Sequence, residues 1–94
     1  MVIDFLKHEA FVLHRHINNG DQYLFKFENG YGASVVNHSF SYTKGNEDFE
    51  VAILWNDHIT YDTHITDDVL CYQSIDDVID VLKKVKLLEA KVNA

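Results

Sequence analysis

The sequence predicts an α+β fold: an antiparallel four- or five-stranded meander with a C-terminal helix packed across one face. Three observations carry this expectation. Apolar and polar residues alternate through much of the stretch from Ala10 to Tyr61, the period of half-buried strands. Two Asn-Gly pairs, Asn19-Gly20 and Asn29-Gly30, break the alternation where hairpins would turn. From Ser74 onward the apolar spacing becomes helical. The helix's apolar stripe needs a surface to cover, and one sheet face supplies it.

The elements follow in order. Residues 10–17 read as a strand, with Phe11, Leu13, Arg15 and Ile17 on one side and Ala10, Val12, His14 and His16 on the other. After the turn signal at Asn19-Gly20, residues 22–28 form a second strand, with Tyr23, Phe25 and Phe27 set against Leu24 and Lys26. Asn29-Gly30 turns into a third strand over residues 31–40, rich in Val, Ser, Phe and Tyr. Residues 43–48 are polar and read as a longer loop. Residues 49–55 form a fourth strand that is apolar on both sides, which predicts a central or covered position. Asn56-Asp57 turns into a short fifth strand, residues 58–61. Thr66-Asp67-Asp68 has the hydroxyl and acids of a helix start, so 69–72 can be read as a helical turn or as a strand. Ser74 with Asp77 resembles a capping box. Ile75, Val78, Ile79, Leu82, Val85, Leu88 and Val92 then keep helical spacing, which predicts a helix over residues 75–91.

The glycine-rich segment Asn29-Gly30-Tyr31-Gly32 invites a phosphate-binding reading. A phosphate loop opens into a helix, whose free N–H groups hold the anion. This segment opens into a strand and is followed by no Lys-Ser or Lys-Thr. Gly30 is expected to supply the turn, and Gly32 a close backbone approach within the sheet.

At 94 residues the chain is expected to form one domain, 1–94, because it is too short for two cores. Absence of proline and four glycines leave no linker or low-complexity tract. The single cysteine, Cys71, cannot form an internal disulfide and is expected to act as a small hydrophobe in a core or half-buried site. The segment Met1 to Ala10 has no secretory pattern and no stretch is long enough to span a bilayer, so a cytoplasmic protein without membrane contact is expected.

The net charge of −7 is unevenly spread. Residues 45–82 hold ten acids and no Lys or Arg, whereas residues 83–94 hold four lysines and one acid. That distribution argues against direct nucleic-acid binding, which needs clustered cations facing phosphates. It suits a partner with a basic surface.

Three constellations could carry chemistry. His14 and His16 lie two apart on one strand face and could share a metal. A third ligand from His38, His58, His64, Cys71 or a carboxylate stands at no recognised spacing, and the reading is a half-exposed pair on a solvent face. Asp57, Asp62, Asp67 and Asp68 cluster around short turns, but match no calcium loop and have no accompanying nucleophile. Tyr23, Phe25 and Phe27 could form a base-stacking platform, yet only Arg15 and Lys26 are near, so core packing under the helix is expected. No catalytic residue, metal or cofactor is expected.

The segments QYLFKFENGYGASVV (22–36), VAIL (51–54), ITYDTHITDDV (59–69) and SIDDVIDVLKKV (74–85) together resemble small proteins encoded by phages and prophages of bacteria. Those proteins carry an N-G-Y-G-A-S-V strand and a T-Y-D-T-x-I-T-D-D-V segment, and the resemblance runs from about residue 20 onward. His64 stands where proline would be usual in that pattern. The resemblance implies a phage origin and a bacterial host cell, and carries no assigned activity. By analogy with small acidic phage proteins, it implies a non-enzymatic binder that inhibits or modulates a host or defence protein, such as a nucleic-acid-handling enzyme, by DNA mimicry. Asp57, Asp62, Asp67 and Asp68 would make the contact. The alternative is a self-associating protein, a homodimer built on an exposed strand edge or on the aromatic sheet face opposite the helix.

Overall fold

A computed structural model of the chain describes residues 2–17, 20–37, 49–66 and 68–90. The fold is α+β, as the patterning predicts. Its elements are α1 (Ile3–Leu6), β1 (Phe11–Ile17), β2 (Gly20–Lys26), β3 (Tyr31–Asn37), β4 (Phe49–Trp55), β5 (His58–Ile59), β6 (Leu70–Gln73) and α2 (Ile75–Lys86). All strand pairs are antiparallel, in the order β1-β2-β3-β4-β5, with β6 also pairing β4. β5 and β6 share one edge of β4: β5 pairs Leu54 and Trp55, and β6 pairs Phe49 and Val51. β4 is thus flanked on both edges, the central position its apolar sequence predicts.

The second hairpin answers the glycine question. Gly30 N–H donates to the Phe27 carbonyl at 3.2 Å, and Phe27 N–H donates to the Tyr31 carbonyl at 2.8 Å. Gly30 has φ +88, so a tight turn closes with a glycine in the left-handed region. A Cβ there would also lie 2.6 Å from the Trp55 ring. Gly32 is opposite Lys26, and a Cβ there would overlap the Phe25 carbonyl oxygen, so the close approach expected from the sequence is present.

Four features depart from the sequence reading. First, α1 was not expected. Its Phe5 is fully buried, with ring centroids 5.0 Å from Tyr23, 5.2 Å from Phe49 and 6.0 Å from Phe25. The Val2 N–H donates to the Tyr23 hydroxyl at 2.9 Å, tying the segment to the sheet. The aromatic face of β2 therefore packs under α1, while α2 lies over β3, β4 and β6. A four-residue helix is too short to leave a period in the sequence.

Second, β1 changes phase. Phe11 pairs Phe25 but Leu13 pairs Leu24, so Val12 is an extra residue in a bulge. Phe11 therefore packs on the core, and Leu13, Arg15 and Ile17 face away from it, rather than all four sharing a side. Third, of the two readings of residues 69–72 the strand holds, and Leu70–Gln73 is a sixth strand beyond the four or five expected. Fourth, several boundaries are tighter: β5 is two residues, and α2 ends at Lys86 with Leu87 as its C-cap. Residues 38–40 of the expected third strand, the expected loop at 43–48 and Val92 lie outside the described residues.

α2 begins as read. Ser74 Oγ accepts from Asp77 N–H at 3.1 Å, and Asp77 Oδ2 accepts from Ser74 N–H at 3.0 Å. Val78, Leu82, Val85 and Leu88 are buried as the spacing predicts, and Val81 joins them. These side chains, with Phe5, Tyr23, Phe25, Phe27, Tyr31, Ala33, Val35, Phe49, Val51 and Ile53, form one continuous core.

Candidate functional site

Of the acids singled out by the sequence, Asp57, Asp62 and Asp68 are described, and all three belong to the segments that follow β4. Asn56 and Asp57 both have positive φ, 50 and 69, and make the two-residue turn from β4 to β5 with Trp55 opposite His58. Asn56 N–H is held by the Gly30 carbonyl at 3.1 Å, so this turn is braced by the neighbouring hairpin. Asp57 is exposed and lies 3.7 Å from the Lys26 ammonium, an open and weak ion pair. Asp62 is exposed and accepts from the Thr60 hydroxyl. Asp68 is exposed; its Oδ1 accepts from Val69 N–H at 2.7 Å, and its own N–H donates to Thr66 Oγ1 at 3.2 Å. Asp67 lies outside the described residues.

Each of these three carboxylates is thus tied to a neighbour of its own. Asp57 leans towards Lys26 on the sheet face opposite the helix, whereas Asp62 and Asp68 belong to the connection between β5 and β6. Asp76, Asp77 and Asp80 add exposed acids along the first turns of α2, immediately after β6. The hydroxyl of Thr66 does take a following N–H, as a helix cap would, but the chain then extends along β4.

Cys71 is half-buried on β6. Desolvation, and then the negative charges of Glu50 and Asp68, push its thiol pKa up, which suppresses the thiolate a nucleophile needs. His58 and His64 are exposed.

The histidine pair is not on the solvent face. His14 and His16 share the core-side face of β1, and Asp21 of β2 lies directly opposite His16. Asp21 Oδ1 is 2.7 Å from His14 Nε2 and 3.2 Å from His16 Nδ1. The ring of His14 lies 4.8 Å from that of Tyr23 and 5.1 Å from that of His16. Sequence reasoning missed Asp21; the signal was the hairpin register, with Ile17 opposite Gly20 and hence His16 opposite Asp21. His38 lies outside the described residues.

The sheet face opposite α2 is uncovered among the described residues. Val12, Leu13, Leu24, Leu54 and Ile59 line a shallow depression of about 520 Å³ there, rimmed by Arg15, Lys26 and Asp57. Gln22 links the rows of this face: its Oε1 accepts from Arg15 Nε at 2.6 Å and its Nε2 donates to Ser34 Oγ at 2.8 Å. No helix of the described residues is long and apolar enough to cross a membrane. No family model, curated protein or solved structure matches the chain.

Proposed function

We propose that the chain is a non-enzymatic binding protein whose acid-only stretch engages a basic surface on another protein. The observation that carries this reading is the placement of the acids. Across residues 45–82 there is no Lys or Arg, and Asp57, Asp62, Asp68, Asp76 and Asp80 all stand exposed. The backbone of the Asp57 turn is braced by Asn56 N–H on the Gly30 carbonyl, and the Asp68 carboxylate is bonded to Val69 N–H, so the segments that carry these charges have less freedom to lose on binding. Spaced carboxylates on such a scaffold suit a groove built for phosphates, and complementary charge favours fast, salt-sensitive association. The partner on this reading is a host or defence protein that handles nucleic acid, and binding inhibits or modulates it, in line with the phage-type resemblance. Replacing Asp57, Asp62, Asp67 and Asp68 together by Asn keeps size and hydrogen-bond acceptors while removing four charges. That variant is expected to lose the partner captured by the unaltered protein.

A second reading rests on the uncovered sheet face. Val12 is 54% exposed and Ile59 52%, more than core-forming strands usually leave free. Pairing of two copies through this face would cover them. Sedimentation equilibrium decides it: a mass that rises to twice the chain mass with concentration favours this reading, and a constant monomer mass rejects it.

A further inference from the structure

His14, His16 and Asp21 lie at the opposite edge of the sheet from the acid-rich stretch. The strand period puts the two imidazoles on one face, and the β1–β2 register brings the carboxylate to them. One ligand atom from each residue lies within 4.8 Å of the other two. In a tetrahedral zinc site with metal–ligand bonds of about 2.0–2.1 Å, the donor atoms are roughly 3.3 Å apart. The contacts to Asp21, at 2.7 and 3.2 Å, both fall slightly short of that spacing, so small side-chain rotations that open them suffice.

Burial is graded across the three. The His14 side chain is 11% exposed and rests on Tyr23, Asp21 is 34% exposed, and His16 is 82% exposed. The first donor is therefore fixed by packing, while the third is free to close over an ion arriving from solvent. Two imidazoles and one carboxylate favour a borderline ion such as Zn²⁺ over Mg²⁺ or Ca²⁺, which prefer all-oxygen shells.

We propose that His14 Nε2, His16 Nδ1 and a carboxylate oxygen of Asp21 bind one Zn²⁺. Three protein ligands at a sheet edge leave a coordination position for water or for a side chain supplied by another molecule. The ion takes the place of the hydrogen-bonded contacts that now join the three side chains, and ties β1 to β2 at the end where the chain passes from one strand to the other.

Isothermal titration of the chelator-treated full chain with ZnCl₂ tests this. The expected result is one Zn²⁺ per chain, no comparable binding of MgCl₂, and affinity at least about 10-fold weaker in each of His16→Ala and Asp21→Asn. His16 is exposed, so His16→Ala retains the fold, which circular dichroism verifies. The double variant His58→Ala/His64→Ala, at the far edge, is expected to bind as the unaltered chain does. Absence of Zn²⁺ binding overturns the proposal, and so does binding that is unchanged in either His16→Ala or Asp21→Asn.

Discussion

The side-chain amide of Asn29 closes the C-terminal end of α2. Its Nδ2 donates to the carbonyl oxygens of Val85 at 2.8 Å and Leu88 at 2.9 Å, and its Oδ1 accepts from Tyr31 N–H at 2.9 Å. One turn residue thus supplies a donor to the Leu88 carbonyl, adds one to the Val85 carbonyl beside its bond from Leu88 N–H at 3.2 Å, and fixes the hairpin that carries it. The segment that resembles a phosphate loop is a helix-to-hairpin clasp.

Removing the clasp should be costly. Asn29→Ala is expected to destabilise the chain by about 1–3 kcal/mol, because the Leu88 carbonyl loses its side-chain donor, the Val85 carbonyl loses one of its donors and the Tyr31 N–H loses its acceptor. Asn29→Asp should cost at least as much, since it sets a carboxylate at the negative end of the helix dipole. Urea denaturation of the three proteins side by side measures both. Equal stability of Asn29→Ala and the unaltered chain would contradict the clasp.

Phe5 should rank among the most costly truncations. It is fully buried and touches three other aromatic rings. Phe5→Ala is expected to cost about 3–5 kcal/mol in the same assay. A loss below about 1 kcal/mol would mean that α1 is peripheral to the core.

Gly30 and Gly32 should both resist substitution, for different reasons. Gly30→Ala meets the Trp55 ring and a positive φ, and is expected to cost about 1–3 kcal/mol while shifting Trp55 fluorescence. Gly32→Ala meets backbone of the paired strand, which cannot rotate away as a ring can, and is expected to destabilise more. The order of the two midpoints checks the geometry.

Acid should weaken the fold through the segment next to α1. Burial is the main cause that lowers the His8 pKa, with Lys86 adding to it and Glu9 opposing; His8 Nδ1 accepts from Ala10 N–H at 3.0 Å. The unfolded chain therefore takes up the His8 proton first, and this stability is complete above the ordinary value of 6.5 and lost as pH falls through the lowered folded value. Glu9 is held below 4.5, first by its hydrogen bond from Lys86 at 2.7 Å, so its small contribution is lost later, as pH falls through its own lowered value. Between about pH 7 and pH 5, His8→Asn should lose less stability than the unaltered chain. Identical slopes would reject this assignment.

Much of this was legible in the sequence, and the exceptions have physical causes. Alternation and the Asn-Gly pairs placed β1 to β4, and the Ser74–Asp77 capping box placed the start of α2. The bulge at Val12 left no mark, because Phe11-Val12-Leu13 is uniformly apolar and carries no glycine to signal one. β6 was ambiguous because Thr66 and Asp68 carry cap chemistry; the unpaired edge of β4, a tertiary feature, decided for a strand. Asp57, Asp62 and Asp68 are exposed as expected, since turns project them outward. The grouping of Asp21 with His14 and His16 needed the hairpin register, which composition and spacing along the chain do not supply.

The central claim is that the acid-only stretch binds a basic protein surface. The most direct measurement is an affinity capture from nuclease-treated bacterial lysate, run in parallel with the tagged chain and with its Asp57→Asn, Asp62→Asn, Asp67→Asn, Asp68→Asn variant, and read by mass spectrometry at low and high salt. The account predicts one protein held in stoichiometric amount by the unaltered chain, released by salt and missing from the variant. A partner retained equally by both, or recovery of this chain alone, would contradict it.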